Sequence, residues 1–306
     1  MVRTCSKMWA VALTVLLSAA APARALNIFA CEPEWASLAK ELAPEADIYS
    51  ATTAYQDPHY VQARPSLIAK LRRADLFVCS GSELEIGWLP ALQMRANNSK
   101  VRDGQPGAFY AAEQVERLDV LGKVDRSMGD VHGGGNPHVH WSPTRIEQIA
   151  KALTQRLIVI EPANAERYQQ QLASFLQRWQ TQREQWAAQA SSLNGVQVVS
   201  YHTSYRYLYD WLGIEQVGDL EPKPGLPPTS GHLASLVSLH KQKPYQLIIY
   251  ASYQDGKAAN WLSSKTGTAV LGLPYSVDPN KEQLVDLFGL YQTAIDQLLA
   301  AVAADG

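Results

Sequence analysis

Two histidines follow a run of three glycines and an Asn-Pro pair within residues 133–143, and imidazole nitrogens in such a place can ligate a metal ion. They are His138 and His140, which stand between two prolines. Two further histidines, His59 and His202, lie far away in the sequences Asp-Pro-His-Tyr and Tyr-His-Thr-Ser. We expect folding to bring His59, His138 and His202 together as ligands of Zn²⁺, which prefers neutral imidazole nitrogens.

The other polar residues of this stretch are weaker candidates. His140 is the alternative to His138, because residues two apart point the same way in an extended segment. We favour His138 since Pro137 restricts the chain directly before it. We expect His140 to contact a metal-ligating side chain without binding the metal, or to be structural. Asp130 and His132 precede the glycines. A solvated loop is the favoured interpretation for them, and transient metal capture is the alternative.

Three neutral imidazoles leave the charge of a divalent cation uncompensated, so a carboxylate is expected as the fourth donor. Asp278 follows a predicted strand in the second half of the chain and is our first choice. A turn-forming role for Asp278 before Pro279 is the alternative. Asp255, Glu221 and a water molecule are weaker choices for the same position.

A secreted zinc-dependent hydrolase is the rival function, because His138 and His140 have the His-x-His spacing of a metal pair. Such an enzyme needs an open coordination position and a general base. The sequence contains no His-Glu-x-x-His motif and no evident base beside the histidines, so binding without catalysis is favoured. A metal-dependent adhesin or structural domain is also compatible with the sequence.

The N-terminal residues predict export. Arg3 and Lys7 precede the apolar run 8–20, and residues 23–25 form an Ala-Arg-Ala cleavage signal. We therefore expect residues 1–25 to be a signal peptide and the mature chain to be periplasmic. The run is too short for a permanent membrane anchor, and we expect no further segment of spanning length.

The charge balance argues against nucleic acid as a partner, because the chain has no excess of positive charge to attract phosphate. The chain carries 27 Lys and Arg residues against 29 Asp and Glu residues, a formal charge of −2, and loss of Arg3, Lys7 and Arg24 with the leader lowers it to about −5. A negative protein gains nothing from counterion release on a polyanion.

Alternating strand and helix patterns predict an α/β fold with parallel sheets. At 306 residues the chain exceeds what one core usually holds. We expect two Rossmann-like βα lobes, 26–161 and 194–306, joined by one long rigid helix at 162–193. The aromatic stripe of that helix favours a connector of roughly 45 Å over a coiled-coil seam, and hence a monomer. Ligands collect outside the carboxyl ends of such strands, which places the metal site in the cleft between the lobes.

Two cysteines remain after removal of the leader with Cys5. Cys31 and Cys79 each follow an apolar run that is typical of a buried parallel strand. Adjacent strand ends would bring them within bonding distance, and an oxidising compartment permits the bond. We predict a disulfide, with two buried thiols as the alternative.

The most distinctive segments are Asp57-Pro58-His59, Asn136-Pro137-His138 with the following Trp141 and Pro143, and residues 201–205, Tyr-His-Thr-Ser-Tyr. Together with the long helix they resemble the cluster A-I solute-binding proteins of metal ABC transporters, the ZnuA- and TroA-like group. The resemblance covers essentially the whole mature chain. It implies that His59, His138 and His202 bind the metal between the lobes, and that the loaded protein delivers it to a membrane ABC permease. A periplasmic metallochaperone is a candidate loading partner.

The resemblance also bears on the metal. Manganese-binding members carry a glutamate where His202 stands, so the imidazole favours Zn²⁺, with Mn²⁺ as the alternative. The chain departs from the family in two places. The long His/Asp-rich loop of many zinc members is reduced to Asp130, His132 and glycines, and assigning Asp278 as a ligand requires a shift of one residue.

Overall fold

Two parallel four-stranded sheets form the centre of the protein. The computed structural model describes residues 25–122 and 131–305. The first sheet has the order β2-β1-β3-β4, with strands β1 (Asn27–Ala30), β2 (Asp47–Ser50), β3 (Leu76–Cys79) and β4 (Ala108–Tyr110). The second has the order β6-β5-β7-β8, with strands β5 (Gln197–Ser200), β6 (Glu215–Asp219), β7 (Leu247–Ala251) and β8 (Ala269–Leu273). All neighbouring strands in both sheets are parallel, which confirms the predicted α/β class.

Helices connect and cover the strands. In chain order they are α1 (Pro33–Leu42), α2 (Pro65–Arg73), α3 (Leu89–Ala96), α4 (Pro143–Ile160), α5 (Ala165–Gln189), α6 (Arg206–Leu212), α7 (Ser230–Gln242), α8 (Lys257–Thr266) and α9 (Leu287–Asp305). Proline occupies the first or second position of α1 to α4, where its missing N–H costs no hydrogen bond. Ser142 caps α4 by accepting from the Arg145 N–H, as the Ser-Pro pair predicts.

The long helix α5 joins the two halves. Its 25 residues give a length of about 37 Å, shorter than predicted because 3₁₀ turns occupy Pro162–Asn164 and Ser191–Leu193. Its aromatic stripe is buried. The indole of Trp179 donates to the carbonyl of Pro143 at the start of α4, and that of Trp186 donates to Gln292 on α9. The helix is therefore fixed to elements of both halves of the chain.

One hydrophobic core runs through both sheets. It contains residues from β1 and β3, from β5 and β7, and from the helices between them. Since separating the sheets would expose this apolar surface, burial of the shared core holds the two halves together. The exact lobe boundaries, at 161 and 194, stay predictions.

The C-terminal helix α9 differs from expectation. Residues Leu287–Ala304 are long and apolar enough to cross a membrane, with a mean hydropathy of 1.3, whereas no such segment was expected after the leader. Its inward face explains the composition. Leu290, Tyr291, Ile295 and Leu298 are completely buried in the shared core.

A disulfide joins the first sheet at the ends of two strands. Ala30 of β1 pairs with Val78 of β3, so the next residues, Cys31 and Cys79, are neighbours with Cα atoms 4.8 Å apart. The structure bonds their sulfurs, which confirms the predicted pairing. The bond fixes the chain immediately before α1.

Candidate metal centre

The loop after β2 presents His59. The carboxylate of Asp57 accepts from the His59 backbone N–H at 3.0 Å and lies 2.8 Å from Nδ1 of the same residue. Trp88 fixes the loop from below, because its indole donates to the carbonyl of Pro58 at 2.9 Å. With Nδ1 held by an acceptor-only carboxylate, the Nε2 lone pair of His59 points towards the cleft.

His138 is held by a related turn. The side-chain oxygen of Asn136 accepts from the His138 backbone N–H at 3.0 Å, and the Asn136 amide donates to the carbonyl of Thr203 at 3.0 Å. This second bond ties the histidine segment to the start of the second sheet's first crossover. The Tyr275 hydroxyl lies 2.9 Å from Nδ1 of His138 and can accept a hydrogen bond from the Nδ1–H group. His138 is completely buried.

His202 lies two residues after the end of β5, at the carboxyl end of the second sheet. Its Nδ1 lies 2.8 Å from Oε2 of Glu221, which follows β6. Both side chains are largely buried, so this carboxylate is a fixed partner and not a solvated one. Glu221 was a weak candidate for direct ligation, and the structure shows it holding a histidine instead.

The three rings converge. Ligand atoms of His59, His138 and His202 all lie within 4.8 Å of one another. The rings meet edge to face, with centroids 5.6 to 5.9 Å apart. Three loops that are distant in sequence thus bring three nitrogens to one point between the sheets.

The free ring nitrogens indicate what this point can bind. In the described part of the chain, Nε2 of His138 and Nε2 of His202 are buried and have no hydrogen-bond partner. Leaving such groups unpaired costs free energy, and native structures rarely do so without a ligand. Each Nδ1 is already engaged, which is the arrangement that orients histidine ligands in metal sites. The residues present therefore fit a metal ion that binds imidazole.

Burial and the neighbouring histidines keep the imidazole of His138 neutral. Burial lowers the pKa of His138 well below its ordinary value, and the neighbouring His202 and His59 lower it further. A neutral imidazole has the lone pair that a metal needs. Burial opposes ionisation of Asp57, but its hydrogen bond with His59 outweighs this and lowers the Asp57 pKa. The site therefore combines a neutral His138 with a charged carboxylate that supports His59.

His140 lies outside the cluster. Its Nε2 donates to the carbonyl of Tyr275 at 3.2 Å, and its Nδ1 lies 3.3 Å from Oε1 of Glu34, with both side chains completely buried. The Tyr291 hydroxyl in turn donates to the His140 carbonyl at 2.7 Å. His140 therefore packs behind the site, where it positions the backbone of Tyr275.

The structure does not bring Asp278 to the three histidines. Its carboxylate accepts from the backbone N–H of Asn280 at 3.1 Å and from the Asn280 amide at 3.3 Å, forming a local turn. This is the turn-forming role that was the alternative for Asp278, whose carboxylate is not among the grouped ligand atoms. Asp255 is also elsewhere, in an exposed ion pair with Lys257.

Of the two candidate residues in the glycine-rich loop, the structure describes one. Asp130 lies outside the described residues. His132 is beside the cluster, because its Nε2 lies 3.3 Å from Nε2 of His59 and the two rings stack with centroids 5.4 Å apart. The glycine-rich loop thus reaches the site.

A cavity of about 240 Å³ opens beside the histidines. Asp57, His59 and Tyr60 line one side, and Tyr201, His202 and Glu221 line the other. It provides a path for an ion to reach the buried nitrogens.

Sequence reasoning missed Tyr275, Glu34 and the supporting roles of Asp57 and Asn136. The last two had a visible signal. In both Asx-Pro-His segments the Asx oxygen accepts from the N–H of the histidine two residues later. Tyr275 and Glu34 gave no local signal, since only tertiary packing brings them to the site.

The chain is similar in sequence to known metal-binding proteins. The sequence model of the ZnuA family, described as zinc-uptake complex component A, periplasmic, matches residues 28–303. The high-affinity zinc uptake system protein ZnuA of Bacillus subtilis is 24% identical over 219 residues, covering 69% of this chain and 66% of its own length. The zinc-binding lipoprotein AdcA of Streptococcus pneumoniae is 24% identical over 215 residues, covering 69% of this chain and 42% of its own length.

Solved structures show the same fold. A crystal structure of ZnuA superposes with a TM-score of 0.75 at 18% identity, covering 91% of this chain and 99% of its own. A manganese-bound periplasmic metal-binding protein from Candidatus Liberibacter asiaticus gives 0.74 at 14% identity, covering 91% and 100%. The sequence match to the two curated relatives spans 42% and 66% of their own lengths. The family match, by contrast, runs across nearly the whole described chain, and the protein therefore belongs to the ZnuA family of periplasmic zinc-uptake components.

Proposed function

We propose that the protein is a periplasmic high-affinity zinc-binding protein that captures Zn²⁺ and delivers it to a membrane ABC permease for import. The observation that carries the proposal is the set of three converging imidazoles, two of which have buried Nε2 atoms without a hydrogen-bond partner in the described chain. His59, His138 and His202 are the proposed ligands. Zinc is the cargo, and the protein performs no chemistry on it.

The donor set favours zinc over manganese. Imidazole nitrogens suit Zn²⁺, whereas Mn²⁺ prefers carboxylate and water oxygens. Two carboxylates line the cavity beside the cluster, and both, Asp57 and Glu221, are engaged with a histidine Nδ1. Named relatives include both zinc and manganese proteins, among them the manganese-binding lipoprotein PsaA of Streptococcus anginosus. The choice of metal therefore depends on the histidines of this chain.

The cellular context follows from the family and the leader. Zinc-uptake components work with a membrane permease, and we propose such a partner here, with a periplasmic metallochaperone as a loading partner. Export requires the signal peptide expected at residues 1–25, of which residues 1–24 lie outside the described residues. We propose a monomer, because α5 buries its aromatic stripe within the chain.

Zinc titration of the metal-free mature protein tests the proposal. Competition with a fluorescent zinc chelator should give one tight site per chain, and His59→Ala and His202→Ala should each weaken it by orders of magnitude. His240→Ala is the matched control, because His240 lies on α7 against Tyr245 and away from the cluster. A wild-type protein that fails to compete with the chelator would disprove the proposed function.

A further inference from the structure

A fourth histidine, His132 in the glycine-rich loop, lies beside the three-histidine cluster. His132 stacks on His59, and its ring centroid lies 6.4 Å from that of His138. The atoms that all lie within 4.8 Å of one another belong to the other three histidines, so His132 stands at the His59 edge of the cluster. A short inward movement of the loop would bring it to a shared centre.

The spacing of two nitrogens matches a zinc shell. Zn–N bonds of 2.0 to 2.1 Å in a tetrahedron separate neighbouring nitrogens by about 3.3 to 3.4 Å. Nε2 of His132 and Nε2 of His59 are 3.3 Å apart. Because the Asp57 carboxylate accepts a hydrogen bond from Nδ1–H of a neutral His59, Nε2 of His59 is an acceptor, and the matching tautomer of His132 donates its Nε2–H to it. A metal ion can take the place of that proton once His132 adopts its Nδ1–H tautomer.

Hydrogen bonds hold the glycine-rich loop that carries His132. The N–H of Gly135 donates to the His132 carbonyl at 2.9 Å, which closes a tight turn. Glu83 accepts from the Gly133 N–H at 3.2 Å, and Ser82 donates to the Gly135 carbonyl. Ser82 and Glu83 both have positive φ, 49° and 69°, a conformation that non-glycine residues adopt only at a cost. Backbone strain next to β3 is thus used to support the turn that carries His132.

We propose that His132 is the fourth nitrogen donor, so that the turn 132–135 closes a four-imidazole zinc site. The inference rests on the proposed function and names the residue that fills the position for which Asp278 had been expected. His59, His138 and His202 each have Nδ1 engaged by a side-chain oxygen, which leaves Nε2 as their donor atom.

Metal spectroscopy on the zinc-loaded mature protein tests this assignment. X-ray absorption at the zinc edge should show four imidazole nitrogens in the wild-type protein and three plus one oxygen in His132→Ala. Zinc affinity of that variant should fall by at least about tenfold, the lower end of what loss of a supporting partner costs. His132→Cys should add a sulfur at about 2.3 Å, a signal that only direct ligation gives. His240→Ala is the control for loss of a histidine outside the site.

The outcomes separate the two proposals. Four nitrogens in wild type, three in His132→Ala and sulfur in His132→Cys would support the assignment. A wild-type spectrum with three nitrogens, or the same spectrum and affinity in His132→Ala, would overturn it while leaving zinc binding by the other three histidines intact. A wild-type protein that binds no zinc would overturn the proposed function as well.

Discussion

The carboxylate behind His202 gives the sharpest test of how the site is supported. Oε2 of Glu221 lies 2.8 Å from Nδ1 of His202, and the two side chains are only 12% and 8% exposed. Glu221→Gln keeps the volume and an oxygen that can accept the Nδ1 proton, but removes the negative charge. The lost charge makes the imidazole a weaker donor to a cation.

The expected size follows from this geometry. Removing an outer partner of a histidine ligand typically costs about 10- to 100-fold in metal affinity, which is about 1.4 to 2.7 kcal/mol. Glu221→Gln should lie near the lower limit, because an acceptor remains. Glu221→Ala should lie near the upper limit. It removes the acceptor, and it also releases the Gly225 N–H, which donates to the same carboxylate at 3.2 Å.

Chelator competition at neutral pH and fixed ionic strength measures both variants. Glu215→Gln is the matched control. It removes the same charge from β6, but the Glu215 carboxylate is exposed and paired with Lys243. Its zinc affinity should equal that of wild type. Circular dichroism of the metal-free proteins verifies that each variant is folded. If folded Glu221→Gln bound zinc as tightly as wild type, the role of this carboxylate in supporting His202 would be refuted.

Three further expectations concern stability and redox state. Zinc at 100 times its Kd should stabilise the wild-type protein by about 2.7 kcal/mol in thermal melts, and an unchanged melting temperature would contradict a specific site. Burial raises the pKa of Glu85 from 4.5 to about 7, so its contribution to stability is full below pH 4.5 and is lost as the pH rises towards 7. Glu85→Gln should flatten that decline in urea unfolding, and an unchanged slope would assign it to other groups. Thiol titration of unfolded, unreduced residues 26–306 should find no free thiol, whereas two would show that Cys31 and Cys79 are unbonded in solution.

The sequence failed where a residue's role depends on a turn. Rings two residues apart share a direction only in extended chain, but Val139–Trp141 is a 3₁₀ turn. His138 and His140 therefore diverge, with ring planes at 85°, and one enters the cluster while the other contacts Glu34. Strand β6 was also missed. Its sequence, Glu-Gln-Val-Gly-Asp, is polar because it lies at the edge of the sheet.

The sequence by itself determined the elements and the kinds of donor. Apolar runs, helical periodicity and Ser-Pro or Thr-Ser caps are local properties, so most strands and helices, the Cys31–Cys79 pair and the three candidate histidines could be read from it. The tertiary structure decided which side chains meet. Tyr275 and His132 contact rings that are 137 and 73 residues away in the chain, and Glu221 contacts a ring 19 residues away on the next strand–loop unit. Such contacts are set by how two sheets pack around one core, and no local pattern in the chain records that packing.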